Sequence, residues 1–556
     1  MFLHRLYPGY GSNSATSGRS MSNPQAREHH SRFHLQATPN LFYFDRIVFA
    51  LLAIHVAIFG WQIVTANDLA PDALDIIGAD HSSVMRAMLT ILEQGTLFDQ
   101  TAAYHSSYYG WTYFFLSFLL LAPVKLVAWA LNLDTAKAVY IGLKTLTVAY
   151  GALAIVTFYW LARLFFSASL SFLLAILLMT ASPLTSYFYL FHPEPVGIIF
   201  LNLSLILLIE FVRRHENIGE SAGPIYFIIL ALLVLSTLAK PTFFLMTFPA
   251  YLCLMATFLA AEKKGRSTQQ ALAQIPQLLF RSTFFALAIF FVVNPYFFWH
   301  LRRSINSQVE NIGAHRSSML ALTDWQSTAE AWFYKIAGDP LLGYSCVSLI
   351  LAAGYLIGSR HRGEFATKIY IFLCLSVIAA VIFIITQFRL FVTPHYFDPI
   401  LPPLLISAMF TANMASREAL HGSVARTTLI AVILALLAIP GVVGNTGSLL
   451  NYYHYADSDS YKAYQWINSN VASGSSIIHD HFVSKPRNDK IKDMHYWQIP
   501  EDELRKYPAA YIIFNPEFKV NGKTQDGTRI LINRIETEPY IKIKTIGPIE
   551  IYRRGS

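Results

Sequence analysis

Residues 43–65 read YFDRIVFALLAIHVAIFGWQIVT. A stretch this long and this apolar is a candidate membrane span, because roughly 20 such residues in a helix cross a hydrocarbon core. Similar runs follow at 108–131, 138–162, 168–190, 195–212, 224–239, 241–261, 278–299, 341–358, 367–388, 396–415 and 426–446. The chain as a whole agrees. Of its 556 residues 54% are hydrophobic and 14% charged, and the mean hydropathy is +0.41. That is too apolar for a soluble protein of this size. The fold class that follows is an α-helical polytopic membrane protein.

Charge narrows the reading. A net charge of +8 fits either a nucleic-acid partner or the short cytoplasmic loops of a membrane protein. Here the cations cluster between the apolar runs, so no nucleic acid is expected and the lipid bilayer is the partner. Cys253, Cys346 and Cys374 all lie inside apolar runs, where they read as small packing residues rather than a disulfide framework. Residues 1–42 are polar, rich in Ser, His, Arg and Asn, with no apolar signal core. They are expected to form a disordered cytoplasmic tail, with the first span as an uncleaved anchor.

Orientation follows from the loops. The tail carries Arg5, Arg19, Arg27 and Arg32, whereas 66–107 carries Asp68, Asp72, Asp75, Asp80, Glu93 and Asp99 against Arg86 alone. The N-terminus is therefore expected in the cytoplasm and 66–107 outside. Arg213-Arg214, Lys263-Lys264-Arg266 and Arg360/Arg362/Lys368 should be cytoplasmic, with Arg417 and Arg426 a weaker group. Strict alternation of all the runs puts the Arg213 and Lys263 clusters outside. If 108–131 does not cross, every cluster falls inside. Its aromatic start and Ala122-Pro123-Val124 fit an embedded helix that dips in and returns, or lies along the interface. Of about 11–13 transmembrane helices in all, about eleven are expected to be true spans.

The membrane domain is thus 43–447. Residues 448–556 are of different composition, polar and alternating, and are expected to form a small external α/β domain. Tyr461–Val471 reads as an amphipathic helix with Asp459 or Ser460 as N-cap. Ser475–His479, Ala510–Phe514, Arg529–Ile532, Ile541–Ile546 and Ile549–Tyr552 read as short strands. This domain either shapes a site above the membrane or caps it without chemistry. There is no Walker or G-x-G-x-x-G loop, which argues against an ATP-driven machine.

The chemistry-bearing residues collect on the external side. Asp80 is either one acid of a wet loop or a catalytic base. It precedes His-Ser-Ser-Val-Met-Arg-Ala-Met, a helical pattern with an apolar face, which puts it at the N-terminal end of a short helix on the membrane surface. His192-Pro193-Glu194-Pro195 stands at the external end of a span; the prolines suit a helix start, and a functional role competes with that reading. Lys240-Pro241 leaves almost no loop between two runs. Lys240 either faces a polar cavity or a bound anion, or snorkels to the interface. In Arg389-Leu-Phe-Val-Thr-Pro-His395-Tyr396-Phe-Asp398-Pro, polar groups again crowd an external junction. Arg302 and Arg303 add cations to that side, against the usual charge bias, which suggests an anionic ligand such as a lipid phosphate.

The ordered set of motifs resembles the GT-C class of polytopic glycosyltransferases, in particular the dolichyl-phosphate-mannose–protein mannosyltransferases and the lipid A aminoarabinose transferase. Asp80-His81 leading to Leu92-Glu93-Gln94-Gly95 is similar to their acidic motif in the first external loop. His105-Ser-Ser-Tyr108-Tyr109-Gly110-Trp111 is similar to their aromatic embedded return. Glu194 stands for a second acidic motif, Lys240-Pro241 for a Lys-Pro element, and His395-Tyr396 through Pro402-Pro403 for a Tyr before a Pro-rich span. The resemblance covers most of the chain. One departure concerns the first motif, where the usual second acid is His81. That favours metal-independent chemistry; no cofactor is assigned, and a divalent cation is left open.

The resemblance implies an inverting transfer from a polyprenyl-phosphate-linked sugar to a hydroxyl on a glycan, lipid or protein acceptor, at the external face of the inner membrane. Asp80 would take the acceptor proton; Lys240, Arg389 and His395 would hold the departing phosphate. Glu194, the second acid, would bind hydroxyls or hold the surroundings of Asp80. His81, His192 and Tyr396 would contact substrate, while Tyr108, Tyr109 and Trp111 would line the sugar pocket. Two rivals remain: a transporter or flippase for a lipid-linked solute, and a surface-polysaccharide polymerase or ligase using Arg302, Arg303, His315 and Arg316.

Overall fold

The computed structural model describes residues 45–65, 110–214, 222–262, 268–299, 325–359, 364–387, 394–419, 423–454, 457–479, 501–517 and 526–555, with short pieces at 84–85, 87–88, 92, 301–302, 492–495, 519–520 and 523–524. Each of the expected apolar runs forms a helix. They are α1 (Arg46–Phe59), α2 (Trp111–Ala130), α3 (Thr135–Arg163), α4 (Ala168–Thr180), α5 (Glu194–Arg214), α6 (Ala222–Ala239), α7 (Phe244–Glu262), α8 (Ile275–Val293), α9 (Trp325–Gly338), α10 (Pro340–Gly358), α11 (Phe365–Gln387), α12 (Leu401–Ala419) and α13 (Ser423–Tyr453), of which α9 alone lies outside those runs. Among the described residues nine helices are long and apolar enough to cross a membrane, and Arg46–Phe59, Ala168–Thr180 and Leu401–Met414 are shorter apolar helices. The chain is a multi-pass membrane protein.

Polar contacts between helices set their directions. Tyr159 donates its hydroxyl to Asp45 Oδ2 at 3.1 Å, and His55 Nε2 donates to the Val148 carbonyl at 3.1 Å. Hence α1 and α3 are antiparallel. Asn202 Nδ2 reaches Thr157 Oγ1 at 3.3 Å, so α5 runs parallel to α3. Ser236 Oγ donates to the Gly197 carbonyl at 2.9 Å, which brings the end of α6 beside the start of α5. Tyr453 donates to the Ile58 carbonyl at 2.9 Å, so α13 finishes where α1 does. The bundle therefore has a Glu194 end and an Asp45 end. Glu194 and Arg213 are separated along α5 by about 29 Å, close to the thickness of a hydrocarbon core.

Helix α2 covers one half of α3. Ser117 Oγ is 3.3 Å from the Tyr150 hydroxyl, and a Cβ on Gly142 would come within 2.6 Å of Leu121. The two helices are antiparallel, and α3 runs on past Tyr150 for about 20 Å to Arg163. So α2 starts at the Glu194 end beside Tyr150 and lies along the first half of α3, back towards Thr135. Trp111–Ala130 is by length and composition one of the nine helices able to cross a membrane. Its entry is fixed by Gly110, whose φ of 85° is a left-handed conformation that favours glycine. The Gly110 N–H donates to the Ala239 carbonyl at 2.8 Å, tying the start of α2 to the end of α6.

After α13 come helices α14 (Asp459–Asn470), α15 (Glu501–Lys506) and α16 (Asp526–Thr537), and strands β1 (Ser476–His479), β2 (Lys492–His495), β3 (Tyr511–Phe514), β4 (Lys519–Val520), β5 (Lys523–Thr524), β6 (Tyr540–Ile546) and β7 (Ile549–Arg554). Five strands form a mixed sheet in the order β2-β1-β3-β7-β6, and β4 and β5 pair separately. Strand β1 is parallel to both β2 and β3, while β7 is antiparallel to β3 and β6. Ile477, Ile513 and Ile551 pack with Ala463 and Ile467 of α14. Ile478, Ile512 and Phe514 pack with Leu504 of α15 and Leu531 of α16. The expected α/β domain is present, with two corrections. Arg529–Ile532 is part of α16, not a strand: four residues cannot separate the two periods, and the wider spacing of Ile530, Leu531 and Ile535 is helical. The N-cap of α14 is Ser458, whose hydroxyl accepts from Tyr461 N–H at 3.2 Å, rather than Asp459 or Ser460.

Tyr464 of α14 belongs to a buried cluster with Val84, Met85, Met88, Leu92, Tyr113, Tyr140 and Phe191. The apolar face foreseen in the residues after Asp80-His81 is thus buried among α2, α3 and the C-terminal domain.

Candidate functional site

Three of the flagged residues meet at the Glu194 end. Glu194 opens α5 between two prolines, where the missing N–H of Pro195 costs nothing. Its carboxylate is buried, 1% exposed, and forms an ion pair with Lys240 Nζ. The other oxygen lies 3.1 Å from His192 Nδ1. Lys240 stands at the break between α6 and the turn Pro241–Phe243, with φ −156° and ψ 130°, the extended backbone that a following proline favours. The His192 ring tilts over Tyr187 at 4.4 Å between centroids, and Lys240 Nζ lies 5.9 Å from the Tyr187 ring centre, within cation–π range.

The closeness of α5, α6 and the 241–243 turn rests on Gly197. A Cβ there would sit 2.6 Å from the Phe243 ring, and Phe243 is wholly buried. With no side chain at 197, the ring fills the space one turn below Glu194 and holds Lys240 opposite the carboxylate.

A fourth ionisable group completes the site; the sequence named it within the 389–399 motif but gave it no role. Asp398, just before α12, is fully buried. It interacts electrostatically with both Lys240 and Glu194. Burial pushes its carboxyl well above the ordinary carboxylate range, and the nearby Lys240 only partly opposes this. For Lys240 burial pulls the other way, but Glu194 and then Asp398 hold the ammonium above its usual value. The site is thus a Glu194–Lys240 ion pair beside a buried Asp398 whose carboxyl burial drives towards its protonated form. Tyr396 is half-buried nearby, its hydroxyl raised by burial and lowered by Lys240.

A second polar network lies on the other side of segment 187–192. Lys144 is fully buried and donates to the Tyr452 hydroxyl, which lies 3.4 Å from Gln62 Oε1. Gln62 Nε2 donates to the Phe188 carbonyl at 3.1 Å. The rings of Tyr452, Tyr140 and Phe191 surround the ammonium at 4.5, 5.3 and 6.0 Å. This network joins α3, the last turn of α13 and the short helix Trp61–Thr65 that follows α1.

The structure thus brings Glu194, His192, Lys240 and Tyr396 to one end of the bundle. Asp80, His81, Tyr108, Tyr109 and Arg389 lie outside the described residues, as does the side chain of His395. Among the described residues no group of three or more His, Cys, Asp or Glu could hold a metal ion.

No family model matches the chain, and no curated protein matches it. The solved structures to which the chain is similar include three that follow. The oligosaccharyltransferase of Archaeoglobus fulgidus in its apo form has a TM-score of 0.48 at 11% identity, over 85% of this chain and 69% of that one. The oligosaccharyltransferase AglB of Archaeoglobus fulgidus, in complex with an inhibitory peptide and a dolichol-phosphate, scores 0.46 at 11% identity, over 92% and 74%. ArnT from Cupriavidus metallidurans bound to undecaprenyl phosphate scores 0.44 at 12% identity, over 92% and 99%. At such identities no residue role passes from them to this chain.

Proposed function

We propose that the chain is an integral-membrane inverting glycosyltransferase. It moves a sugar from a polyprenyl-phosphate donor to a hydroxyl acceptor at the external face, with Asp80 as catalytic base. The observation that carries this reading is the buried Glu194–His192–Lys240 cluster, with Asp398, at the end of the bundle where α1 finishes and α2 begins. The segment holding Asp80 joins those two points in sequence, and the buried Val84, Met85, Ala87, Met88 and Leu92 that follow it pack against the same end.

The chemistry needs few parts. The acceptor oxygen attacks the anomeric carbon from the face opposite the phosphate, and its proton passes to the Asp80 carboxylate. The bond from the anomeric carbon to the phosphate oxygen breaks, and the electron pair leaves on the phosphate. Cations that stabilise the departing charge lower the barrier. Lys240 serves here, with Arg389 and His395 of the separate 389–399 motif. Lys240 is paired with Glu194 at rest, yet Glu194 has His192 as a second partner. The ammonium can therefore be shared with a phosphate without leaving a bare buried carboxylate. Glu194 and Tyr396 face hydroxyls of the sugar or acceptor, and Tyr108 and Tyr109 close the sugar pocket. No step is routed through a metal, since His81 interrupts the acidic pair that a cation would use.

Asp80→Asn tests the base. The side chain keeps its size and loses its proton affinity, so transfer in purified protein should fall about 100- to 10,000-fold. Transfer at the parent rate removes Asp80 from the mechanism. Comparing it with Arg316→Ala separates this reading from a polysaccharide polymerase or ligase, which would depend on Arg316 instead.

A further inference from the structure

Asp398 is wholly buried, and neither of its carboxyl oxygens has a hydrogen-bond partner among the described residues. A buried carboxyl in that state costs free energy, because water has been removed and nothing replaces it. Three structural explanations fail. It does not cap α12, since a cap would accept a backbone N–H. It is not the partner of Lys240, whose ammonium is bonded to Glu194. It is not needed to balance charge, since Glu194 and Lys240 already neutralise each other. A second unpaired group lies close by in the chain: the Thr242 hydroxyl, two residues past Lys240, is also buried without a partner.

An unsatisfied buried polar group calls for an explanation, and a ligand that satisfies it is one that fits a functional site. The ligand group must suit a neutral carboxyl, which both donates and accepts. It must also lie near an ammonium already placed to meet a phosphate. A hydroxyl donates and accepts in the same way, and in a sugar phosphate the hydroxyls are a few bonds from the phosphorus. We propose that Asp398 is a substrate-binding residue, whose carboxyl exchanges hydrogen bonds with a hydroxyl of the donor's sugar while Lys240 meets the phosphate. This rests on the glycosyltransferase reading above and adds to it a sugar-recognising group on the turn before α12.

The test compares two kinds of probe on the full-length protein in lipid nanodiscs: undecaprenyl phosphate alone, and undecaprenyl phosphates carrying a hexose or a pentose. Asp398→Leu should weaken the sugar-bearing lipid that the parent binds best by tenfold or more, and leave bare undecaprenyl phosphate within twofold. Asp398→Asn, which keeps a donor and an acceptor in the same space, should stay within about threefold for both, and it guards against a misfolded Leu variant. An equal fall for both lipids makes Asp398 a support for Lys240 and overturns the proposal; so does no change for either. A parent protein that binds bare undecaprenyl phosphate but gains nothing from any sugar also overturns it, while leaving the lipid-phosphate site standing. A parent that binds none of the lipids removes the glycosyltransferase reading itself.

Discussion

Glu194 and Lys240 form an ion pair within the buried end of the bundle, across 46 positions of sequence. Each stands at a helix break, and each break contains proline. The pair closes the gap between α5 and α6 at the point where α2 is also tied in through Gly110 and Ala239.

Breaking this pair from one side should harm the fold more than removing it altogether. Lys240→Met leaves a buried carboxylate with His192 alone, and Glu194→Gln leaves a buried ammonium. The loss of one partner of a buried pair typically costs about 3–5 kcal/mol. The double variant Glu194→Gln/Lys240→Met should recover part of that loss, yet remain inactive in transfer. Thermal unfolding in detergent, followed by size exclusion, reads the stability of all four proteins. Additive losses would mean that the two side chains are not coupled.

Gly197→Ala tests whether close packing sets the site. The added methyl meets the Phe243 ring at 2.6 Å, and the ring is buried with no room to turn. Overpacking of this kind costs about 1–3 kcal/mol. Adding Phe243→Leu should restore part of the stability. If Gly197→Ala alone leaves both stability and lipid affinity at parent values, α5 and the 241–243 turn are not held by this contact.

These residues also show how far the sequence could be read. Every apolar run became a helix because length and hydrophobicity alone decide that in a membrane. The non-crossing of 108–131 is an expectation from loop charge alone, and by length and composition α2 is able to cross. Glu194 and Lys240 stood out since an ionisable residue against an apolar run needs a reason. Their pairing was not legible, because nothing local links positions 46 apart. Asp398-Pro399 carries the same signature as Lys240-Pro241, a charged residue before a proline at the head of an apolar run. It was overshadowed by His395-Tyr396 in the same motif. Arg529–Ile532 misled because a four-residue apolar window fits a strand as well as one turn of α16.

The raised carboxyl of Asp398 has a consequence for pH. Its carboxyl is raised in the folded protein by burial, against an ordinary value of about 3.9 when unfolded. Below that unfolded value both states hold the proton and the fold loses nothing. As the pH rises above it, the unfolded chain releases the proton while the folded protein keeps it, so stability falls. Asp398→Asn has no proton to release. Its advantage in melting temperature over the parent should therefore grow between pH 4 and pH 8. A constant difference across that window would show that Asp398 is ionised in the fold and paired after all.

The Lys144 network makes a prediction about the C-terminal domain. Tyr452 sits in the last turn of α13, a few residues before Ser458 caps α14, and its hydroxyl is the acceptor for a fully buried ammonium. Gln62 and the Phe188 carbonyl extend the chain of contacts to the short helix after α1 and to segment 187–192, which leads into His192 and Glu194. Tyr452→Phe removes one oxygen and leaves the Lys144 ammonium with aromatic faces alone. An unsatisfied buried donor costs about 1–3 kcal/mol, more when charged. The connection from α13 to α14 should then loosen, and chymotrypsin, which cuts after aromatic residues, should cleave the folded protein sooner at Tyr453 and Tyr455. Lys144→Met in the same background removes the stranded charge and should restore much of the protection. If Tyr452→Phe is cut at the parent rate, the C-terminal domain is held by the Tyr464 cluster, and the Lys144 network serves the membrane bundle alone.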